Sequence, residues 1–553
     1  MTIEGDTGRR LLRDPLLYGV ALIAVLFCVP FFRYVEWLGD EGVLLHGATR
    51  ILGGEVLYRD FFEFLAPGGF LIVATWMKLF GVGFASVRVL ALGVVSATAA
   101  LLYAAARLSS GNRALSASLA VAWAVFSQGA WTGVIHHWLT TAASMASAVA
   151  LFQALEGASR RGAAFAAGLF AGTAAMVTQT RGAYLCVAVL AALLPLPSRR
   201  PRLVSAIAGE ALVPTAMVLY LAARGALPAA FDDVIAHTAR RYAWMQPVPY
   251  GSWVSSQNWV LVALFPVTFV LAGGVVVLAG AARMREPRFS ASLALAVVGV
   301  LGIYPRPDAT HIDFTVALAG PLFALAATDL LGRLGRRVGR RAQLAVGALL
   351  IGLCLPGVRG ALELVATASR TRAVPTPRGL VVPGQGLSTG DFAGDFAALM
   401  ARVDRVPPGD PFFFYPFCPM LPYLTGRRHV ASIDVITPSW TSVEQFREAC
   451  TRVMREAQWV VIEHNWKDPT YLHMVFPAIR DTDPSEKRAF EAALERAFDK
   501  VVLRSKFFEL RERTTGAAVT LCDTIRASSR LRPEPRPSAA RLDPGTFGSS
   551  DLR

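Results

Sequence analysis

Charged residues are scarce in this 553-residue chain: Asp, Glu, Lys and Arg make up 17% of it, against about 25% in soluble domains. Hydrophobic residues account for 54% even before the 47 glycines are counted, where soluble domains reach roughly 45–50% with glycine included. Mean hydropathy is +0.44. A soluble globular protein is excluded. So is a soluble enzyme on a single anchor, because one span adds only about 20 apolar residues. Cysteine is sparse too: of six, Cys28, Cys186 and Cys354 lie in apolar runs and Cys418, Cys450 and Cys522 in a polar tail. No two have metal-ligand spacing, which excludes a zinc site and a disulfide framework and leaves one disulfide among the last three open. A glycine-rich nucleotide-binding loop is also missing.

What is present is the composition of a polytopic α-helical membrane protein. The net charge of +15, from 55 Lys and Arg against 40 Asp and Glu, would suit a nucleic-acid partner if the cations formed a groove. They fall instead in short clusters between apolar runs, the positive-inside pattern, so the expected partner is a lipid bilayer and no nucleic acid. The run Leu16–Phe32 follows Arg9, Arg10 and Arg13, which puts the N-terminus in the cytoplasm. No small-residue cleavage site follows it, so it is read as a span and not as a signal peptide.

The first outer loop occupies residues 33–84. Two of its stretches, Val43–Leu52 and Gly68–Phe80, read as helices lying on the membrane, because the second is far shorter than the roughly 20 residues a span requires. From Ala85 the alternation is regular: Ala85–Ala106, Ala114–Ala130, Leu139–Leu155, Ala163–Val177, Gly182–Leu196, Leu203–Ala223, Trp259–Ala281, Phe289–Ile303, Phe314–Leu331 and Ala342–Val358. Arginines mark every inward turn, giving about eleven transmembrane helices in residues 1–358. Residues 359–523 then form an extracytoplasmic α/β domain, and the Arg-, Pro- and Ser-rich stretch 524–553 is too poor in apolar residues to fold. Within the tail, Pro411–Pro416, Trp459–Glu463 and Ala517–Leu521 read as buried strands, and Ser442–Ala457 and Ser485–Phe498 have helical spacing.

This topology sorts Asp40, Glu41, Asp60, His136, His137, Arg181, Arg306, Asp308 and His311 onto one outer face. The most informative segment is Gly39-Asp40-Glu41-Gly42, followed by Leu52-Gly53-Gly54-Glu55-Val56-Leu57-Tyr58-Arg59-Asp60. Acids just beyond a span sit where a lipid headgroup lies, and a carboxylate there is able to take a proton from an attacking hydroxyl. The plainer reading is that Asp40 and Glu41 cap the helix that follows.

The N-terminal span, the acidic pair, the Leu-Gly-Gly stretch ending at Asp60, and Pro67-Gly68-Gly69-Phe70-Leu71-Ile72 leading to Trp76-Met77-Lys78-Leu79-Phe80-Gly81 together resemble the GT-C glycosyltransferases. More narrowly, they are similar to the superfamily of dolichyl-phosphate-mannose protein mannosyltransferases and aminoarabinose transferases. The likeness covers about residues 16–107; at Ala66-Pro67-Gly68-Gly69 the chain departs from the Pro-Pro-Leu usual in that superfamily. It implies a GT-C-like fold and a sugar donor on a polyprenyl phosphate. It also implies a glycan, lipid or protein acceptor, Asp40 as catalytic base with Glu41 beside it, and Arg88 as a recurrent residue of the second span. Arg59, Asp60 and Lys78 fall in the matching segment as substrate-binding candidates. A bacterial inner membrane is the expected setting.

Displacement at an anomeric carbon needs cations for the departing phosphate as well as a base. Arg181, at the edge of an apolar span, and Arg306, in Tyr304-Pro305-Arg306-Pro307-Asp308-Ala309-Thr310-His311, are the candidates, with Asp308 and His311 for phosphate or acceptor. Snorkelling to the interface is the alternative for Arg181. His136 and His137 suit contact with a headgroup or acceptor, or an ordinary interfacial loop. Asp232-Asp233 and Arg240-Arg241-Tyr242 suit a gating segment or a solvated helix. A divalent metal held by Asp40 and Glu41 is compatible with their chemistry, although their spacing does not demand one. The rival from another class is a lipid or sugar transporter or flippase, which requires ionisable groups within the spans and repeated halves. Here the ionisable groups collect at the outer ends, and no internal repeat is visible.

Overall fold

The computed structural model describes residues 11–525, apart from 36–37, 128–132, 157–159, 198, 256–257, 385–390, 515 and 517–518. The stretch 524–553, expected not to fold, lies outside the described residues from 526 onward. A helix covers each of the eleven apolar runs, from Pro15–Cys28 and Phe84–Ser110 through to Trp259–Ala279, Pro287–Leu301 and Gly320–Gly332. Among the described residues, four helical stretches are long and apolar enough to cross a bilayer: Phe84–Ser110, Arg199–Ala223, Trp259–Ala279 and Arg337–Arg370. The last continues past Val358, where the apolar pattern stops, because an amphipathic helix, Leu355–Arg370, follows on directly.

Small residues allow a close contact in the bundle. A Cβ at Gly168 or Gly172 on helix Arg161–Val177 would run into the backbone carbonyl of Ala206 or Glu210 on helix Arg199–Ala223. Two helices in lipid approach this closely only where side chains are absent.

The first outer loop supplies helices Asp40–Leu52 and Gly68–Phe80, as their periodicity predicts. The second leaves Leu79 and Phe80 exposed. The first does not lie on an open membrane surface. It buries nine residues, Glu41, Gly42, Val43, Leu44, Leu45, His46, Gly47, Ala48 and Arg50, because the tail covers the side that the bundle leaves free.

Among the described residues, seven strands build the non-helical part. β1 (Tyr34–Val35), from the first loop, runs parallel to β3 (Gly379–Pro383), which pairs antiparallel with β2 (Val374–Thr376). β4 (Phe412–Tyr415), β5 (Trp459–Glu463), β6 (Lys500–Arg504) and β7 (Phe508–Glu512) form a second sheet in the order β4-β5-β7-β6. β4 and β5 are parallel and wholly buried, as continuous apolar runs should be. Helix Val443–Glu456 starts at a Ser442–Gln445 capping box, and helix Ser485–Ala497 packs beside it.

The strand expected at Ala517–Leu521 is not one. Residues 517–518 lie outside the described set, and Val519–Thr524 forms 3-10 turns pinned to the neighbouring helix by a Cys450–Cys522 disulfide. That bond takes up two of the three tail cysteines and leaves Cys418 free. Replacing Cys450 with serine is expected to lower the stability of the tail by about 2–4 kcal/mol, read as a lower thermal midpoint of the detergent-purified chain.

Candidate functional site

The segment Gly39-Asp40-Glu41-Gly42 divides three tasks among neighbouring residues. Glu41 is buried, and both of its oxygens accept from Arg88, with Nη2 at 2.9 Å from Oε2. Oε1 also accepts the Val134 amide at 2.9 Å. Arg88 further donates to the Tyr34 carbonyl at 2.8 Å and lies 4.4 Å from the centre of the Phe84 ring. Gly42 has no room for a side chain, because a Cβ there would strike the backbone of Met420 in the tail. Asp40 is left with neither duty. It is half-buried, makes no hydrogen bond among the described residues, and feels His311 and Arg306. Burial raises its carboxyl above the usual carboxylate range, against the pull of those two side chains.

Glu41, the second catalytic candidate, is thus committed to Arg88 and the Val134 amide. Consecutive residues on a helix point about 100° apart, and the one that turns inward here welds the loop to the bundle. Among the described residues no group of three or more His, Cys, Asp and Glu side chains is arranged to hold a metal.

Around Asp40 the expected cluster assembles from four parts of the chain. The His136 and His137 rings lie 3.9 Å apart at the start of helix His136–Ala154, and His137 is 5.3 Å from His311 and stacked at 4.3 Å on Phe314. Asp308 caps the short helix Ala309–Asp313 and accepts from the His311 amide at 2.8 Å, with its side chain 2.9 Å from His311 Nδ1. Burial works against its ionisation, yet His311 and Arg306 hold its carboxyl below the usual value.

The two candidate phosphate cations differ in what they have left to offer. Arg306 donates Nε to Asp308 at 2.8 Å, Nη1 to Gln246 at 3.0 Å and Nη2 to the Val475 carbonyl at 2.8 Å. It also sits between the rings of Trp253 and Phe476, at 4.9 and 5.0 Å, and so acts as a strut between the outer loops and the tail. Arg181 donates Nε to the Gly302 carbonyl at 3.0 Å. Its Nη1 is buried with no hydrogen-bond partner among the described residues, as are Nδ1 of His136 and of His137. Tyr242, from the segment Asp232–Tyr242, is buried within electrostatic reach of Arg306, Asp40 and Arg181.

Three candidates lie elsewhere. Arg59 pairs with Asp60 at 2.8 Å on an exposed turn, and Lys78 is exposed in the last turn of its helix. What sequence reasoning missed is the far end of the Asp40 helix. His46 Nδ1 lies 2.8 Å from Asp434 Oδ2, and Arg50 donates to the Ala431 carbonyl at 3.1 Å and lies 3.7 Å from Asp434. His429 approaches Asp434 at 3.6 Å. The spacing of His46 and Arg50, four apart on one helical face, was a usable signal; their partner, nearly four hundred residues away, was not.

No family model matches the chain, and no curated protein matches its sequence. Solved structures do resemble it. The crystal structure of ArnT from Cupriavidus metallidurans bound to undecaprenyl phosphate matches with a TM-score of 0.52 and 14% identity over 93% of this chain and 99% of that one. The apo state of the same protein matches with 0.52 and 14% over 92% and 98%. The archaeal oligosaccharyltransferase AglB from Archaeoglobus fulgidus, in complex with an inhibitory peptide and a dolichol-phosphate, matches with 0.47 and 11% over 84% and 71%. The fold is thus shared with ArnT along nearly the whole chain.

The Glu41–Arg88 pair is open to a direct test. Arg88→Ala leaves a buried carboxylate without its cation and is expected to destabilise the chain by about 3–5 kcal/mol. Arg88→Ala combined with Glu41→Gln should recover part of that loss, measured by thermal unfolding of the single and double variants.

Proposed function

We propose that this chain is a membrane glycosyltransferase. It moves a sugar from a polyprenyl-phosphate donor to an extracytoplasmic acceptor, a glycan, lipid or protein, with Asp40 as general base. The carrying observation is an Asp40 carboxylate with no side-chain hydrogen bond among the described residues, facing Arg306 and His311, and linked through the buried Tyr242, which lies within electrostatic reach of both, to a buried Arg181 whose Nη1 is unpaired among them. A displacement at an anomeric carbon requires both groups. The ArnT structure whose fold this chain shares is bound to undecaprenyl phosphate, which supports a donor of the same class.

In the proposed step the acceptor hydroxyl gives its proton to the Asp40 carboxylate while its oxygen bonds to the anomeric carbon. The bond from that carbon to the phosphate oxygen breaks, and the polyprenyl phosphate departs with the electron pair. Arg181 stabilises the negative charge that develops on the departing phosphate. It lies in the first turn of helix Gln179–Leu193, where the free amides and the helix dipole also favour an anion. His136 and His137 add two further unsatisfied ring nitrogens beside it. Arg306 and His311 bias the field at Asp40, while Asp308 keeps both in place.

Eleven spans with the N-terminus in the cytoplasm, the division at about residue 358, and an extracytoplasmic tail in a bacterial inner membrane complete the reading. The Cys450–Cys522 disulfide supports that side for the tail, since such bonds persist in oxidising compartments.

Asp40→Asn keeps the shape and removes the base, so transfer from a radiolabelled polyprenyl-phosphate sugar should fall by about 10²–10⁴-fold in a chain that still inserts and folds. Retained transfer would end the assignment. A base must be ionised to accept a proton, and the Asp40 pKa is raised. The rate in the wild type should therefore drop as pH falls through that elevated value and level off above it, and this acid limb should disappear from the residual activity of Asp40→Asn.

A further inference from the structure

The Leu-Gly-Gly stretch ending at Arg59-Asp60 takes no part in the cluster at Asp40. It forms one wall of a separate cavity of about 730 Å³, which is closed by Asp233 of the long outer loop and by residues 428–452 of the tail. Three parts of the chain thus meet around a space none of them fills. Its floor is held in an unfavourable shape: Tyr58 has a φ of 69°, a region that side chains avoid. The turn is locked there by the Tyr58 hydroxyl, which donates to the Leu65 carbonyl at 2.6 Å, and by the Val56 amide, which donates to Asp60 at 2.7 Å. Strain of this kind persists where the surroundings over-determine it, and it gathers at ligand sites.

The lining is polar and balanced in charge, with four arginines against four carboxylates. Arg50 is matched by Glu55 and Arg59 by Asp60, while Arg428 pairs with Glu456 just outside. Asp233 and Glu448 both line the cavity, Glu448 accepting from the Ser432 hydroxyl at 2.8 Å, and burial, together with the neighbouring Asp232 and Glu448 carboxylates, pushes Asp233 up to about 7. With its charges largely matched, such a wall favours neither a polyanion nor a polycation. It offers forked donors and acceptors at fixed spacing beside the Phe62 ring, which is what a chain of sugar hydroxyls requires.

We propose that this cavity is a distal saccharide subsite, holding the part of a glycan acceptor that does not react. The assignment rests on the transferase reading and narrows it, making the acceptor an oligosaccharide or a glycan-bearing molecule. Arg50 and Asp40 stand ten residues apart on one helix, about 15 Å along its axis. A saccharide seated here reaches the base only if it extends over several units, so a monosaccharide acceptor would gain nothing from the subsite.

The test uses the full-length protein in nanodiscs and saturation-transfer NMR with maltotriose, cellotriose, mannotriose and chitotriose as probes, with inorganic phosphate as the anionic control. At least one trisaccharide should bind the wild type and Asp40→Asn alike, and should lose about tenfold in affinity in Glu448→Ala and Arg452→Ala. Both replaced side chains lie at the cavity rim, so their thermal midpoints should match the wild type. Failure of every trisaccharide to bind, binding untouched by both substitutions, or displacement of the sugar by phosphate would overturn the subsite. Trisaccharide binding in a protein that consumes no polyprenyl-phosphate sugar would leave the subsite standing and remove the transferase reading. Transfer without trisaccharide binding would do the reverse.

Discussion

The buried ion pair between Glu41 and Arg88 is the constraint from which the site follows. It fixes the first turn of the Asp40–Leu52 helix against helix Phe84–Ser110 and, through the Val134 amide, against the segment leading to His136 and His137. With Glu41 turned inward and Gly42 pressed on the tail backbone, Asp40 is left at the rim with its carboxylate unspent. The opposite end of the same helix is held by His46 and Arg50 on Asp434. One short helix is thus clamped by the bundle at its start and by the tail at its end. Such support holds a side chain in position better than a free loop does.

The arginines show how identical chemistry is put to different uses by its surroundings. Arg306, in the loop densest in ionisable groups, has three of its nitrogens committed and two aromatic rings beside it. Arg181 has one fixed nitrogen and one buried and unmatched. An unmatched buried donor is costly, and a guanidinium at the edge of an apolar helix more so. Such a donor is free to meet an acceptor from outside the described residues.

Much of this was legible in the residues. Apolar runs bounded by arginines located eleven helices, because length and hydropathy dominate in lipid. The strands Phe412–Tyr415 and Trp459–Glu463 were visible for the same reason, as continuous buried runs. β6 escaped because it is an edge strand with no buried residue, and β7 because its sequence, Phe-Glu-Leu-Arg-Glu, alternates too briefly. Convergence of Asp40, His136, His137, Arg181, Arg306, Asp308 and His311 on one end of the bundle followed from topology alone. The separate duties of Asp40 and Glu41 did not, since they depend on which side of a helix faces Arg88. Nor could sequence reveal that Arg59 and Asp60 face another cavity, whose far wall is built from residues beyond 427.

The central claim is that Asp40 and Arg181 address one lipid phosphosugar from opposite sides of its anomeric bond. A cryo-EM structure of the protein in nanodiscs with undecaprenyl phosphate tests it most directly. The account predicts the phosphate within hydrogen-bonding distance of Arg181 Nη1, at the start of helix Gln179–Leu193, with the Asp40 carboxylate facing it across a gap the size of a sugar ring. A phosphate bound away from Arg181, or at the other end of the helical bundle from Asp40, would contradict it.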